Sequence, residues 1–225
     1  MLTIDEWRAM GGLVKTRYLE VNHVASKNSL AKRAIKYGSF INDADYATSP
    51  KISGFIARCP AYDCWCNMIE RSYSKKRQII QPSYVGVTIC EEWQSFMAFR
   101  AWWLDNYVDG WQIDKDILCD DREYHPSKCI FVPSVINSFT LDRRATRGDK
   151  PIGAFLFRRD GKYQAQCNNP KTGLGEHLGL FSDPWDAHAA WKKRKIELAN
   201  EMKPDMDLID ARIHPRILEI INRTT

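Results

Sequence analysis

A tight-turn signal at Asp160-Gly161 is the feature that most constrains how this chain can fold. The stretch GAFLFRRDGKYQAQCNN, residues 153–169, places a strand-like segment on either side of that dipeptide. Because Asp-Gly suits the short turns of β-hairpins, the two segments are predicted to be strands joined at this turn. Side chains alternate between the two faces of a strand, so Gln164, Gln166 and Asn168 are expected to share one face.

The residues after this hairpin predict a third strand and a helix. EHLGLF has strand character, and SDPWDAHAAWKKRKIELANEM has the pattern of a helix with a basic stripe after Trp191. Ser182 is the predicted N-cap of this helix, and Pro204 ends it. Residues 151–203 are therefore predicted to form a small three-stranded antiparallel sheet plus helix. A basic linker over 141–150 precedes this module, and a C-terminal helix is predicted over 204–225.

The N-terminal half is predicted to be mixed helix and strand, which places the chain in the α+β class. Residues 1–50 have helical spacing broken by glycines and predict a helical N-terminal arm in which Ser29 caps a second helix. The segments YDCWCNMIERSY and EEWQSFMAFRAWWLDNY predict two further helices, the second with an aromatic stripe typical of a buried core. YVGVTIC, WQIDKDIL and YHPSKCIFVP read as strands, the last leading into a short helix, SVINSF.

Composition excludes several classes of protein. The chain has 225 residues, of which 44% are hydrophobic, so it is long and apolar enough to bury a core. No apolar run approaches the roughly 18 residues that a membrane span requires, and the N-terminus has no secretion-signal pattern. We therefore expect a cytoplasmic protein without a membrane partner.

The cysteines favour reduced thiols over a disulfide framework. There are seven, irregularly spaced and without a signal peptide. Cys59, Cys64, Cys66 and Cys90 could supply four thiolates to zinc. Their spacing does not match a pair of CxxC knuckles, so zinc is not expected, and buried apolar cysteine is the simpler interpretation.

Charge is unevenly distributed along the chain. The net charge is +5, which permits nucleic-acid binding without establishing it. From Glu91 to Glu123 there are nine acidic and three basic residues, whereas from Asp142 to Lys203 there are thirteen basic and eight acidic. This pattern fits a cation-binding site followed by a module that binds a polyanion.

Residues 152–203 resemble the AP2 (ERF-type) DNA-binding domain. The match rests on the order and spacing of Gly153, Gly161, Lys162, Tyr163, Ala165, Leu178, Gly179, Phe181, Ala187 and Ala190. Such domains lay a three-stranded sheet in the major groove of DNA, where alternate side chains face the bases. The resemblance implies a double-stranded DNA partner. The residues expected to contact it are Arg158, Arg159, Lys162, Gln164, Gln166, Asn168 and His177, with Lys128, Arg143 and Arg144 added from outside the sheet.

The side chains expected to contact the bases differ from those of AP2-type domains. AP2-type domains usually carry aromatic and Arg side chains on the reading face, whereas this chain has Gln, Asn and His there. Amides can pair bidentately with adenine, so the base preference of the family does not transfer. A solvated sheet face with ordinary surface amides is the alternative interpretation.

The segment from Tyr62 to Asn137 resembles HNH-like (His-Me finger) endonucleases of bacteriophages and mobile elements, in which an AP2-type module often follows. The resemblance rests on W-x-x-M-x-x-R-x-Y, C-x-E-W-x-x-F-x-x-F-x-x-W, I-D-K-D-I and Y-x-P-x-x-C-x-F-V-P. It implies a ββα-metal-like (HNH-like) hairpin-helix module over 51–140 that holds one divalent cation, Mg²⁺ before other metals, for phosphodiester hydrolysis.

The resemblance also assigns individual residues to positions of the HNH motif, and the general base His and the central Asn of that motif are absent from this chain. Asp114 falls at the first metal-ligand position and Asn137 at the last. Lys115 stands where the general base His is expected, and Lys128 stands at the central Asn. A lysine protonated at neutral pH accepts no proton, so the activating base is absent.

Other groups near this motif offer substitutes. Asp114 and Asp116 lie two apart on a predicted strand, so their carboxylates are expected on one face as a metal pair with Asn137. His125 is a candidate substitute base, although a surface histidine before Pro126 is the simpler interpretation. The candidate catalytic set is therefore Asp114, Lys115, His125 and Asn137.

Three functions remain open from the sequence. The first is a homing-type DNA endonuclease of a phage or mobile element with a degenerate catalytic motif, acting in the host cytoplasm. The second is a DNA-binding regulator or structural factor without catalysis, in which Lys115 and Lys128 hold phosphate. The third is a phage protein that acts on a host protein. No small-molecule cofactor is expected, and a homodimer is left open.

Overall fold

The computed structural model describes residues 2–141, 149–157 and 159–225 of the chain. These residues form two compact units. The N-terminal unit comprises the residues up to Asp116 together with Asp120–Phe131, and the C-terminal unit comprises Ile117–Cys119 and Val132–Thr225. Both units combine helices with small sheets, in agreement with the predicted α+β class. No helix within the described ranges is long and apolar enough to cross a membrane.

The N-terminal unit is built around aromatic side chains from two helices. Its elements are α1 Ile4–Ala9, α2 Gly12–Asn22, α3 Lys27–Ala31, β1 Lys51–Ile52, β2 Phe55–Ile56, α4 Pro60–Tyr73, α5 Lys75–Ile80, β3 Thr88–Ile89, α6 Phe96–Asn106, β4 Gln112–Asp114 and β5 Glu123–Tyr124. Trp65 on α4 donates from Nε1 to the carbonyl of Trp93 at 2.8 Å. Phe96, Phe99 and Trp103 on α6 are fully buried, which confirms the predicted aromatic core.

The first fifty residues are part of this core and do not form a separate arm. Trp7, Leu19, Phe40 and Tyr46 are buried in the same cluster as Trp65. The predicted second helix is shorter than expected, and Ser26 caps it where Ser29 was predicted. The hydroxyl of Ser26 accepts the N–H of Ser29 at 3.1 Å, and α3 ends after only five residues. Apolar burial against α4 and α6 therefore positions this region more than its own helical propensity does.

The strands of the N-terminal unit are shorter than predicted. β3 contains only Thr88 and Ile89 and pairs in parallel with β5, while β4 pairs with β6, Ile130–Val132. The predicted strand WQIDKDIL ends at Asp114, because the carboxylate of Asp114 accepts the N–H of Asp116 at 2.7 Å and turns the chain. Asp116 lies beyond the strand end, so the expectation that both carboxylates share a strand face is wrong.

The C-terminal unit contains the predicted three-stranded antiparallel sheet and its helix. After α7, Ser134–Asn137, the strands are β7 Ala154–Phe157, β8 Lys162–Asn168 and β9 Gly175–Phe181, in the order β7-β8-β9. The hairpin closes at the pair Phe157 and Lys162, so Asp160-Gly161 lies in the connection between β7 and β8 but is not by itself a two-residue turn. Helix α8, Pro184–Glu201, packs on the face of the sheet that carries Ala165.

The helix boundaries at the C-terminal end differ from the prediction. Asp183, not Ser182, caps α8: its carboxylate accepts the N–H of Trp185 at 2.7 Å. Two helices, α9 Lys203–Ile209 and α10 Ile213–Arg223, take the place of the single predicted one. Pro204 lies in the first turn of α9, where a missing N–H costs nothing, so the same proline that was predicted to end a helix begins one.

Candidate nucleic-acid interface

Asp114 and its neighbours form a compact polar turn at the end of β4. Lys115 is buried, with its side chain 8% exposed, and its ammonium lies 2.5 Å from the carboxylate of Asp116. The same ammonium lies 5.8 Å from the ring centre of Tyr84 and 5.9 Å from that of Tyr124. In this position the buried ammonium of Lys115 is paired with the exposed carboxylate of Asp116, so it is poorly placed to hold a phosphate from solvent.

Lys128, which the HNH resemblance aligns with the central asparagine, is held by two carboxylates. Its ammonium lies 2.8 Å from Asp121 and 2.7 Å from Glu123. Hydrogen bonds to these two groups, that of Asp121 first, raise the pKa of Lys128 above its ordinary value. The residue is therefore a permanent cation at physiological pH, and its charge is already matched by acidic neighbours.

His125 uses one ring nitrogen in its own turn. Its Nδ1 accepts the backbone N–H of Ser127 at 3.2 Å and lies 2.9 Å from the Ser127 hydroxyl. Because Nδ1 is an acceptor, the neutral ring carries its proton on Nε2. An imidazole with this tautomer presents a donor at Nε2, so the turn would have to rearrange before Nε2 could act as a base.

The candidate metal ligands are distributed over both units. Asp114 and Asp116 belong to the N-terminal unit, whereas Asn137 is the last residue of α7 in the C-terminal unit. In the part of the chain that the structure describes, no three His, Cys, Asp or Glu side chains are grouped so that they could hold one metal ion.

The cysteines are free thiols in separate environments. Cys59 and Cys90 are buried, and Cys66 accepts a hydrogen bond from the Lys36 ammonium at 3.0 Å. Burial raises the pKa of Cys64 to about 12. A protonated thiol is a poor metal ligand, so this environment favours apolar packing of Cys64 over zinc binding.

The sheet of the C-terminal unit has one face covered by α8 and one face open. Ala165 and Cys167 are buried beneath the helix, and Gln164, Gln166 and Asn168 alternate with them on the opposite side. Among the described residues, these three amides make no side-chain hydrogen bond within the protein. Their donors and acceptors are therefore satisfied by solvent or by a ligand, as base-reading amides must be.

Aromatic and basic side chains surround these amides. Phe155 pairs with Gln164 across β7 and β8, Phe157 pairs with Lys162, and His177 pairs with Gln166 across β8 and β9. Phe155 is 53% exposed, and Lys162 is exposed with no acidic partner among the described residues. We refer to Phe155, Phe157, Lys162, Gln164, Gln166, Asn168 and His177 as the open face.

Sequence reasoning placed the amides, Lys162 and His177 on this face but missed the two phenylalanines. The two phenylalanines could have been predicted from the hairpin register, because Phe155 pairs with Gln164 and Phe157 pairs with Lys162. Arg159 lies in the exposed turn, 3.8 Å from the carboxylate of Asp160. Arg143, Arg144 and Arg158, also predicted to contact DNA, lie outside the described residues.

The basic stripe of α8 is mostly used inside the unit. Arg194 bonds Glu176 at 2.6 Å and Glu201 at 2.9 Å, and Lys192 donates to the carbonyl of Asn222 at 2.9 Å. These side chains therefore tie the helix to its neighbours, and the open face, not the helix, carries the available polar groups.

Comparison with known proteins gives no match: no family model, no curated protein and no solved structure shows significant similarity to this chain.

Proposed function

We propose that this chain binds double-stranded DNA and that the open face of its three-stranded sheet reads the base edges. The observation that carries this proposal is the row of Gln164, Gln166 and Asn168, whose amides have no hydrogen-bond partner among the described residues. The resemblance of residues 152–203 to AP2-type domains supports the same surface. In this arrangement the sheet lies in the major groove, which is wide enough to admit it.

Each group on the open face has a distinct role in the complex. The amides of Gln164 and Gln166 are expected to bond adenine at N6 and N7, each contributing about 1–3 kcal/mol of discrimination. Phe155 and Phe157 are suited to contact thymine methyl groups. Lys162, at the start of β8, and Arg159, in the turn before it, are placed to neutralise phosphates, which adds affinity without sequence preference.

The test compares preferred and mismatched duplexes. A preferred sequence is first selected from a random duplex pool with the full chain, and affinities are then measured by fluorescence anisotropy. We expect Gln164→Ala to reduce the ratio of preferred to mismatched affinity by roughly tenfold to a hundredfold. Asn106→Ala, which removes an exposed amide from α6 in the N-terminal unit, is the control and should leave the ratio unchanged. Absence of DNA binding, or an equal effect of both variants, would contradict the proposal.

Metal-dependent hydrolysis of DNA is the second candidate, and Asp114 is the residue that supports it. Its half-buried carboxylate is held at the end of β4 by the N–H of Asp116, a fixed position of the kind that a metal site requires. Against this candidate, Lys115 stands where a base is needed and is paired with Asp116. The geometry therefore supports binding without hydrolysis better than cutting.

Nicking of supercoiled plasmid in Mg²⁺ or Mn²⁺ separates the two candidates. If the chain is a nuclease, wild-type protein nicks the plasmid, and Asp114→Ala abolishes nicking while DNA affinity is retained. If the chain only binds DNA, neither protein nicks, and affinity is independent of the metal.

A further inference from the structure

The C-terminal unit contains a cavity that extends from the open face to residues with no role in the proposed DNA contacts, among them Phe139, Trp191 and Lys195. Its volume is about 600 Å³, within the range of roughly 300–1,000 Å³ typical of small-molecule sites. Its walls include the apolar side chains of Phe139, Ile152, Trp191, Ile220 and Ile221. Ser138, Asn169 and Thr224 add polar groups to the lining, so the cavity combines apolar walls with a few hydrogen-bonding positions.

One wall carries a buried cation that forms no ion pair with any residue in the described ranges. Lys195 on α8 is only 9% exposed and lines the cavity. Its ammonium lies 3.6 Å from the ring centre of Phe139. Within the described ranges, no carboxylate, carbonyl or hydroxyl accepts a hydrogen bond from it. Burial lowers the pKa of Lys195, and the nearby Cys167 opposes that shift only in part.

The charge environment of Lys195 differs from that of Arg194, its neighbour in the sequence. Arg194, one position earlier on the same helix, is paired with Glu176, Glu197 and Glu201. The acidic residues of this helix and strand thus neutralise Arg194, and none of them within the described residues forms an ion pair with Lys195. A buried ammonium is costly unless it is paired, and a cavity beside it gives an external anion access to it.

We propose that this cavity binds a small organic anion with a flat apolar body, whose carboxylate, sulfonate or phosphate group pairs with Lys195. Phe139 and Trp191 supply aromatic walls for the body of the ligand, and Ile220 and Ile221 of α10 add aliphatic lining. Phe155, Gln166 and Asn168 of the open face also line this cavity, but the anion-binding group Lys195 and the ring of Phe139 lie outside that face.

A pair of fluorescent probes tests the role of the charge. 8-Anilinonaphthalene-1-sulfonate carries a sulfonate on an aromatic body, and N-phenyl-1-naphthylamine has nearly the same body without the charge. We expect wild-type protein to bind both and Lys195→Met to bind the sulfonate at least tenfold more weakly. Affinity for the neutral probe should stay within about twofold, which also shows that the cavity of the variant is intact. Lys193→Met, on the exposed side of the same helix, should alter neither affinity.

The proposal is overturned if wild-type protein does not bind the sulfonate, or if Lys195→Met binds it as tightly as wild type does. A second measurement needs no variant. Lysines of the wild-type chain are reductively methylated with and without the sulfonate probe, and the modified sites are mapped by mass spectrometry. Bound probe should protect Lys195 at least fivefold and leave Lys193 unprotected, whereas equal modification of Lys195 in both samples would refute the site.

Discussion

At the scale of single residues, Gly153 shows how closely the sheet and helix of the C-terminal unit approach. Its φ is +83°, and a Cβ at this position would lie 2.1 Å from Cγ of Trp191. Any side chain here meets both a disfavoured backbone conformation and a fixed indole ring. Gly153 was identified from the sequence only as one position of a motif, since nothing local to it indicates which ring lies above it.

Gly153→Ala is therefore expected to destabilise the unit by about 3 kcal/mol, the sum of a left-handed backbone penalty and overpacking against Trp191. Gly173→Ala is the matched control, because its φ is also positive, +72°, but no atom lies within 4 Å of the added methyl group. The control should lose only about 1 kcal/mol. Urea denaturation followed by circular dichroism measures the free energy of unfolding of both variants. If both lose the same amount of stability, contact with Trp191 is unimportant.

At the scale of elements, an ionic cluster joins the sheet to the helix. Arg194 on α8 bonds Glu176 on β9, and Asn169, just after β8, donates to the same carboxylate at 2.7 Å. These hydrogen bonds, that of Arg194 first, lower the pKa of Glu176 to about 2 from its ordinary 4.5. The carboxylate is thus more acidic in the folded than in the unfolded chain, so its ionised form favours folding.

Glu176→Gln is expected to lower stability in a manner that depends on pH. Since the folded pKa lies below the unfolded one, the stabilisation is fully present above about pH 4.5 and is lost as pH falls toward about 2. The difference in urea midpoint between wild type and variant should therefore be constant from about pH 6 to 8 and shrink below about pH 4.5. Glu197→Gln, at the more exposed end of the cluster, should change the urea midpoint less than Glu176→Gln does. If the midpoint difference between wild type and Glu176→Gln does not vary with pH, ionisation of Glu176 is not coupled to folding.

Elements with strong local signals were predictable, and those fixed by distant contacts were not. The aromatic spacing of α6 and the alternation of β8 follow from periodicity, so both could be found from sequence. The end of β4 depends on one hydrogen bond from Asp116 to Asp114, and the burial of residues 1–50 depends on helices far along the chain. Likewise, the pairing of Lys115 with Asp116 and of Lys128 with Asp121 became visible only in three dimensions.

At the scale of the whole molecule, net charge overstates the number of cations available to a polyanion. The chain has 33 Lys and Arg against 28 Asp and Glu, yet many basic side chains in the described ranges are already paired. Lys115, Lys128 and Arg194 each bond carboxylates, and Lys195 is buried. On the open face, Lys162 is the principal cation, with Arg159 in the turn beside it.

Binding to DNA should therefore depend only moderately on salt. The logarithm of affinity falls with the logarithm of salt concentration with a slope of about −0.9 for each phosphate neutralised, so contacts by Lys162 and Arg159 predict a slope of about −2. Lys162→Ala should weaken binding to every sequence and reduce the magnitude of this slope by about 1, while Lys193→Ala, on the exposed side of α8, should leave the slope unchanged. Anisotropy titrations between about 50 and 200 mM salt measure these slopes. If both lysine variants change the slope equally, the phosphates do not contact the open face, and the sheet is not the surface that meets the duplex.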